Sequence, residues 1–221
     1  MDFRMDVVAR ILPYLLKGAV LTLELTTISV GLGVILGLFV ALARISKSPI
    51  LRFPAGAFID FFRGTPLLAQ LYLIHYGLPR LLGYTPNAWA SGILALTLNA
   101  SAYIAEIYRA GIQSIERGQM EASRSLGMTY GQAMRWVVIP QAVRRVVPPL
   151  GNEYIAMLKD SSLVSIISIE ELMWRARLLN GSNMRSFEDF FTAAIIYLIM
   201  TLFFSWLLQK TERRLRTGDI R

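Results

Sequence analysis

Two carboxylates and an ammonium stand inside an apolar stretch of this chain, at Glu153, Asp160 and Lys159. An ionised group at the centre of a bilayer costs at least about 2.5–3.5 kcal/mol on insertion scales, so such groups face protein or a wet cavity. Seven residues separate Glu153 from Asp160. That is two helical turns, which places both carboxylates on one face about 10 Å apart. Asn152 and Ser161 flank that face, and Pro148, Pro149 and Gly151 are expected to loosen the start of the helix, freeing backbone groups to line a cavity. Asn99, Tyr103 and Glu106 share a second face by their i, i+4, i+7 spacing, and Gln70 and Tyr72 can complete a wall. Paired carboxylates suit a cationic ligand through charge-assisted hydrogen bonds. The same carboxylates can equally pair with Lys159 or a nearby arginine and fix helix packing. Both readings stay open at this point.

No catalytic constellation accompanies them. The chain has no cysteine, which excludes disulfides, thiolate metal sites and thiol redox chemistry. The single histidine, His75, lies in an apolar stretch and reads as a packed or pore-lining residue, not a metal ligand. No catalytic residue, metal site or cofactor is therefore expected in this chain.

Composition says what must position these groups. The chain is 54% hydrophobic and only 17% charged, against about a quarter charged in a soluble domain. The apolar residues come in long blocks, as in a helical membrane protein, and 221 residues allow one compact membrane domain. Five blocks are long enough to cross a bilayer: about 19–43, 58–78, 89–108, 146–169 and 190–208. Of the Lys and Arg residues, fifteen fall on one side of these blocks and seven on the other, with Lys159 inside a span. The positive-inside bias then puts the N-terminus outside and the C-terminus in the cytoplasm. It also accounts for the net charge of +8 without nucleic acid. No cleavable leader is expected, since Asp2, Arg4, Asp6 and Arg10 interrupt the first residues. Val7, Val8, Ile11, Leu12, Leu15 and Leu16 recur at helical spacing before the first block. They fit an interfacial helix or an extension of the first span equally. Gly33 and Gly37 form a GxxxG pair, read as packing within the chain.

Between the third and fourth blocks lie about 35 residues, too many for a simple turn. Residues 113–126 are helix-permissive, Gly127 breaks them, and Thr129 can cap a second short helix, 130–138, ahead of Pro140. Such a pair would project as a knob, or the segment would rest on the lipid headgroups as an amphipathic loop, and the residues alone fit both equally. Ala122, Ser123 and Gly127 are small enough to let another protein's surface approach.

The order Glu121-Ala122-Ser123, then Gly127, then Ile139-Pro140 resembles the EAA motif of ABC-importer permeases, with Ile139 where the family has leucine. Phe62-Arg63-Gly64-Thr65-Pro66-Leu67 resembles the RGTPLL signature of the polar-amino-acid branch. The run from Ala102 to Gly111 resembles its AY-x-AE-x-x-RAG segment, and Pro140-Gln141-Ala142, Asn152, Lys159 and Ser162-Leu163 its later pattern.

The resemblance implies an all-α integral membrane chain with the type I ABC importer permease fold, one domain over 1–221, with core spans over 19–208 and a cytoplasmic coupling segment over 113–140. It implies a second permease, identical or paralogous, a dimer of cytoplasmic ATPase subunits and an extracytoplasmic binding protein, in a bacterial cytoplasmic membrane. Glu121, Ala122, Ser123 and Gly127 would meet the ATPase. The chain lacks a G-x-x-x-x-G-K-[ST] phosphate loop, so ATP and Mg would be bound by the partner. The substrate would be a polar amino acid. Glu153, Asp160, Asn99, Tyr103, Gln70 and Ser161 are its candidate contacts, and the paired carboxylates favour arginine, then lysine or histidine, over glutamine or glutamate. A channel or ion-coupled secondary transporter, or a membrane scaffold, are the rival classes.

Overall fold

The computed structural model describes residues 4–216, and every regular element among them is helical. Asp2, used above in the leader argument, lies outside the described residues, as does Arg221, one of the fifteen basic residues counted on the cytoplasmic side. Ten α-helices follow in order: α1 (Met5–Ile45), α2 (Pro49–Gly64), α3 (Leu67–Tyr72), α4 (Leu78–Leu82), α5 (Ala88–Gln113), α6 (Arg117–Ser125), α7 (Tyr130–Ala133), α8 (Ile139–Asp160), α9 (Leu172–Asn183) and α10 (Ser186–Arg216).

The first apolar block does not begin after a separate surface helix. Residues 5–45 form one helix of 41 residues, about 60 Å long at 1.5 Å per residue. Of the two readings of its amphipathic start, the extension is the one found. Ile11 and Leu15 are buried there against Leu172, Ala176 and Ile196, which gives the N-terminal turns their own core.

The second block is not one helix. Residue Thr65 is extended (φ −119°, ψ 149°) and separates α2 from α3. The cause is Pro66, whose ring disfavours the helical region for the residue before it. Downstream, Pro79 and Pro140 each lie two residues beyond a π turn, Leu73–Gly77 and Met134–Val138. A proline inside a helix lacks an N–H and crowds the carbonyl four residues back. A wider turn at that carbonyl relieves the clash and lets the helix continue. For this reason the second short helix does not stop ahead of Pro140, as its sequence led one to expect. It runs from Tyr130 through the π turn into α8. Pro148, Pro149 and Gly151 then sit in the middle of α8, not at a loosened start.

A 3₁₀ turn, Ser161–Ile167, closes the fourth block, and α9 follows between it and α10. Three described helices are long and apolar enough to cross a membrane: Met5–Ile45, Ala88–Gln113 and Ser186–Arg214. The central pair is α1 against α5. Gly33 and Gly37 enable it, because a Cβ on Gly37 would lie 2.9 Å from the Ser101 carbonyl. That is the intrachain packing expected of the GxxxG pair. Leu25, Leu71, Leu96, Ile104, Met157 and Ile169 fill the core between α1, α3, α5, α8 and the segment after it.

Candidate functional site

A cavity of about 590 Å³ opens between the end of α2, the second half of α5 and the middle of α8. Its charged and aromatic lining is Arg63, Tyr103, Glu106, Arg145 and Glu153. Each arrives by helical periodicity. On α8, Arg145, Pro149 and Glu153 recur every four residues, and along α5 and its C-cap, Tyr103, Ile107, Ala110 and Ser114 recur every three or four. Gly111 lets α8 approach α5 closely, since a Cβ there would fall on the Val146 side chain.

The groups in this cavity differ in how far they are satisfied. Glu106 is clamped: Arg109 donates from Nε to Oε1 at 2.9 Å and from Nη2 to Oε2 at 2.7 Å. Arg145 donates to the Ser114 carbonyl and ties α8 to the end of α5. Arg63 lies 3.7 Å from Glu106 Oε2, and its guanidinium carbon lies 5.3 Å from the centre of the Tyr103 ring. Glu153 is half-buried, and among the described residues it accepts no hydrogen bond and closes no ion pair. An unpaired carboxylate in a cavity of mixed charge is suited to binding a ligand cation, not to covalent chemistry. No nucleophile with an adjacent base lines the cavity.

The remaining sequence candidates separate. Tyr103 faces the cavity as expected. Asp160, the last residue of α8, is exposed and does not line the cavity, so one cavity does not unite the two carboxylates. Gln70 and Asn99 are buried and committed elsewhere. The Gln70 amide nitrogen donates to the Phe62 carbonyl at 2.8 Å, the Thr65 carbonyl at 3.0 Å and the Thr65 hydroxyl at 2.9 Å. Asn99 donates to Gln70 Oε1 at 3.0 Å and to the Phe62 carbonyl at 3.3 Å. Both brace the helix break at Thr65; neither lines the cavity. Ser161 is fully buried, and its hydroxyl donates to the Leu158 carbonyl at 2.8 Å. Its place in a 3₁₀ turn one residue past the helix end explains this local bond.

The knob is formed by α6 and α7. Gly127 has φ +86° and ends α6. Thr129 and Gln132 form the reciprocal capping box that opens α7. Glu121, Ala122 and Gly127 are exposed, whereas Ser123 is buried, its hydroxyl donating to the Gln119 carbonyl at 2.6 Å. Ser123 therefore packs the knob against its own chain, and the outward face is Glu121, Ala122 and Gly127.

Two features escaped the sequence reading. Arg63 was read as a topological charge and as part of the RGTPLL-like run, and Arg145 as a topological charge, and neither was read as a cavity group, although the four-residue spacing of Arg145, Pro149 and Glu153 places those three on one face. Glu171 was not singled out. It is fully buried and joins three helices, accepting from Tyr197 at 2.7 Å, Trp174 N at 2.7 Å and Thr22 at 3.3 Å.

Comparison with known proteins agrees with this architecture. Residues 33–217 match the family model described as binding-protein-dependent transport system inner membrane component. The chain belongs to this family and, within it, to the permeases of amino-acid ABC transporters. It is 35% identical over 208 residues to the arginine transport system permease protein ArtQ of Bacillus subtilis (strain 168), covering 94% of this chain and 95% of that one. It is 34% identical over 217 residues to the glutamine transport system permease protein GlnP of Escherichia coli (strain K12), covering 98% and 99%. A solved amino acid ABC transporter with histidines superposes with a TM-score of 0.92 at 44% identity, covering 97% of this chain and all of that one. The MetNI methionine ABC transporter in an inward-facing form shares the fold, with a TM-score of 0.74 at 21% identity. Permease subunits of this family are not themselves enzymes.

Proposed function

We propose that this chain forms the translocation path of an ATP-driven amino acid importer and that its substrate is a basic amino acid, arginine first. Glu153 carries the reading, because it is the carboxylate in the cavity left without a partner. A buried charge without a partner is costly, and a substrate ammonium or guanidinium would compensate it. The arginine permease named above is a relative that supports the same choice.

A second reading rests on a specific observation. Arg63 and Arg145 line the same cavity, so the local charge is not uniformly negative. That balance also suits a neutral zwitterion such as glutamine, and a relative is named for glutamine. Comparing arginine, lysine and glutamine as stimulators of ATP hydrolysis by the reconstituted complex separates the readings. Glu153→Gln should weaken arginine and lysine by tenfold or more and spare glutamine. Equal losses for all three would remove charge recognition at Glu153.

In the assembly, one domain of five spans would run with its N-terminus outside and its C-terminus in the cytoplasm of a bacterium. The apolar segments around α3 and within α8 would supply the two spans besides the three long helices, shielded by neighbouring helices. A second permease would complete the path, and an extracytoplasmic binding protein would deliver substrate. A cytoplasmic ATPase dimer would bind ATP and Mg. The outward face of the knob, Glu121, Ala122 and Gly127, would seat in the ATPase. ATP and the loaded binding protein would each favour a different state of the path, which is what alternating access requires.

A further inference from the structure

The geometry points to Arg63 as the group that receives the substrate's carboxylate, across the cavity from Glu153. This rests on the reading that the cavity admits a free amino acid. Three observations carry it. First, Arg63 and Glu153 line the same cavity and come from different helices, α2 and α8. A basic amino acid presents its carboxylate at one end and its side-chain cation at the other, and these two residues offer opposite charges to meet them.

Second, the donors of Arg63 are free. Its neighbour Glu106 is already held on both oxygens by Arg109. At 3.7 Å, Arg63 stands beyond hydrogen-bond distance of that carboxylate. Among the described residues no acceptor takes an N–H of Arg63, while Tyr103 supports the guanidinium from one side. A planar fork held against a ring and lacking an acceptor is prepared for a bidentate carboxylate.

Third, the position of Arg63 is built. Its preceding residue, Phe62, has its carbonyl held by both Gln70 and Asn99, and Thr65 is held by Gln70. The last turn of α2 is thereby fixed to α3 and α5 on both sides of Arg63. Preorganisation of this kind lowers the ordering cost of binding. Gln70 and Asn99 thus act on substrate as positioning residues, through Arg63, without touching it.

The test compares each amino acid with its decarboxylated amine. Arginine and agmatine share the guanidinium and differ in the carboxylate. Equilibrium binding is measured on the intact complex in lipid nanodiscs, with wild type, Arg63→Gln, Arg63→Lys and Glu153→Gln. Wild type should prefer arginine to agmatine. Arg63→Gln should lower arginine affinity by about tenfold or more, the range for a lost charged hydrogen bond, and leave agmatine within about twofold. Arg63→Lys, which keeps charge but loses the fork, should fall between and shows that the complex is intact. Glu153→Gln should weaken arginine and agmatine together. Equal loss of arginine and agmatine in Arg63→Gln, or loss of neither, overturns the assignment. If wild type prefers glutamine, glutamine and 4-aminobutanamide serve as the pair, with the same expected contrast between wild type and Arg63→Gln. A wild-type complex that binds no amino acid at all overturns the functional reading, and the carboxylate site with it. Binding that depends on Glu153 but not on Arg63 overturns only the latter.

Discussion

The side-chain amide of Asn99 donates to the side-chain carbonyl of Gln70 at 3.0 Å, joining α5 to α3 beside the break at Thr65. Around the Gln70 nitrogen three oxygens compete for two N–H groups, and two of them are backbone carbonyls that the break leaves without helical partners. Gln70→Leu keeps the volume and removes every donor. Each buried polar group left unsatisfied costs about 1–3 kcal/mol. Thermal unfolding in detergent should register a loss of that order. In a double-mutant cycle, Gln70→Ala and Asn99→Ala should couple by about 0.5–3 kcal/mol. Strict additivity would mean the two residues do not act as one brace.

Gly37 and Gly31 lie on the same helix and predict opposite outcomes. A Cβ on Gly37 would press on the Ser101 carbonyl at 2.9 Å and on Ile104. Backbone cannot yield cheaply, so Gly37→Ala should destabilise by about 1–3 kcal/mol through overpacking. A Cβ on Gly31 meets nothing within 4 Å. Gly31→Ala should therefore stay within about 1 kcal/mol of wild type, on the stabilising side by helix propensity. Equal melting temperatures for the two variants would contradict the α1–α5 packing.

Hydrophobic blocks, glycine spacing and the Gly127–Thr129 turn were readable from the sequence because each is a local property. Hydropathy places α1, α5 and α10, and Thr129 was legible as a helix cap, whereas the reciprocal bond from Gln132 came only with the structure. Prolines were read less well. Pro66 ends a helix, whereas Pro140 and Pro148 do not, because a π turn and the helix interior absorb them. That outcome depends on the packing on either side, which residue type does not encode. The polar candidates divided for a similar reason. Periodicity puts Asn99 on the face of Tyr103 and Glu106, but the carbonyls freed at Thr65 claim it first. Glu171 was missed because its partners Thr22 and Tyr197 are remote in sequence.

Glu171 N-caps α9 through Trp174 N and also accepts the Tyr197 hydroxyl at 2.7 Å, holding α9 and α10 together. Tyr197→Phe removes one donor from a fully buried carboxylate and should cost about 1–3 kcal/mol. Glu171→Ala removes the cap and strands the Tyr197 hydroxyl, so its loss should be larger. Glu171→Gln keeps an acceptor for Trp174 N, and its amide can donate to the two hydroxyls. It should lie between wild type and the alanine variant in thermal unfolding. A glutamine variant as unstable as alanine would show that the charge, not the hydrogen bonds, holds the three helices.

Gly127 has φ +86° and open space around its missing Cβ. An alanine there meets no atom, so its cost is the left-handed backbone alone, about 1–2 kcal/mol. Thr129→Ala removes the side-chain half of the capping box two residues later, worth about 1 kcal/mol. Both changes act on the turn between α6 and α7 and leave the cavity at Glu153 untouched. If the knob transmits ATP-driven motion, the double variant should retain amino acid binding and lose most substrate-stimulated ATP hydrolysis. Hydrogen exchange should quicken over 117–133 and stay unchanged over α5. Undiminished stimulation in a variant whose knob exchanges faster would separate the knob from coupling, since an interface that must carry force cannot do so through a turn that opens freely.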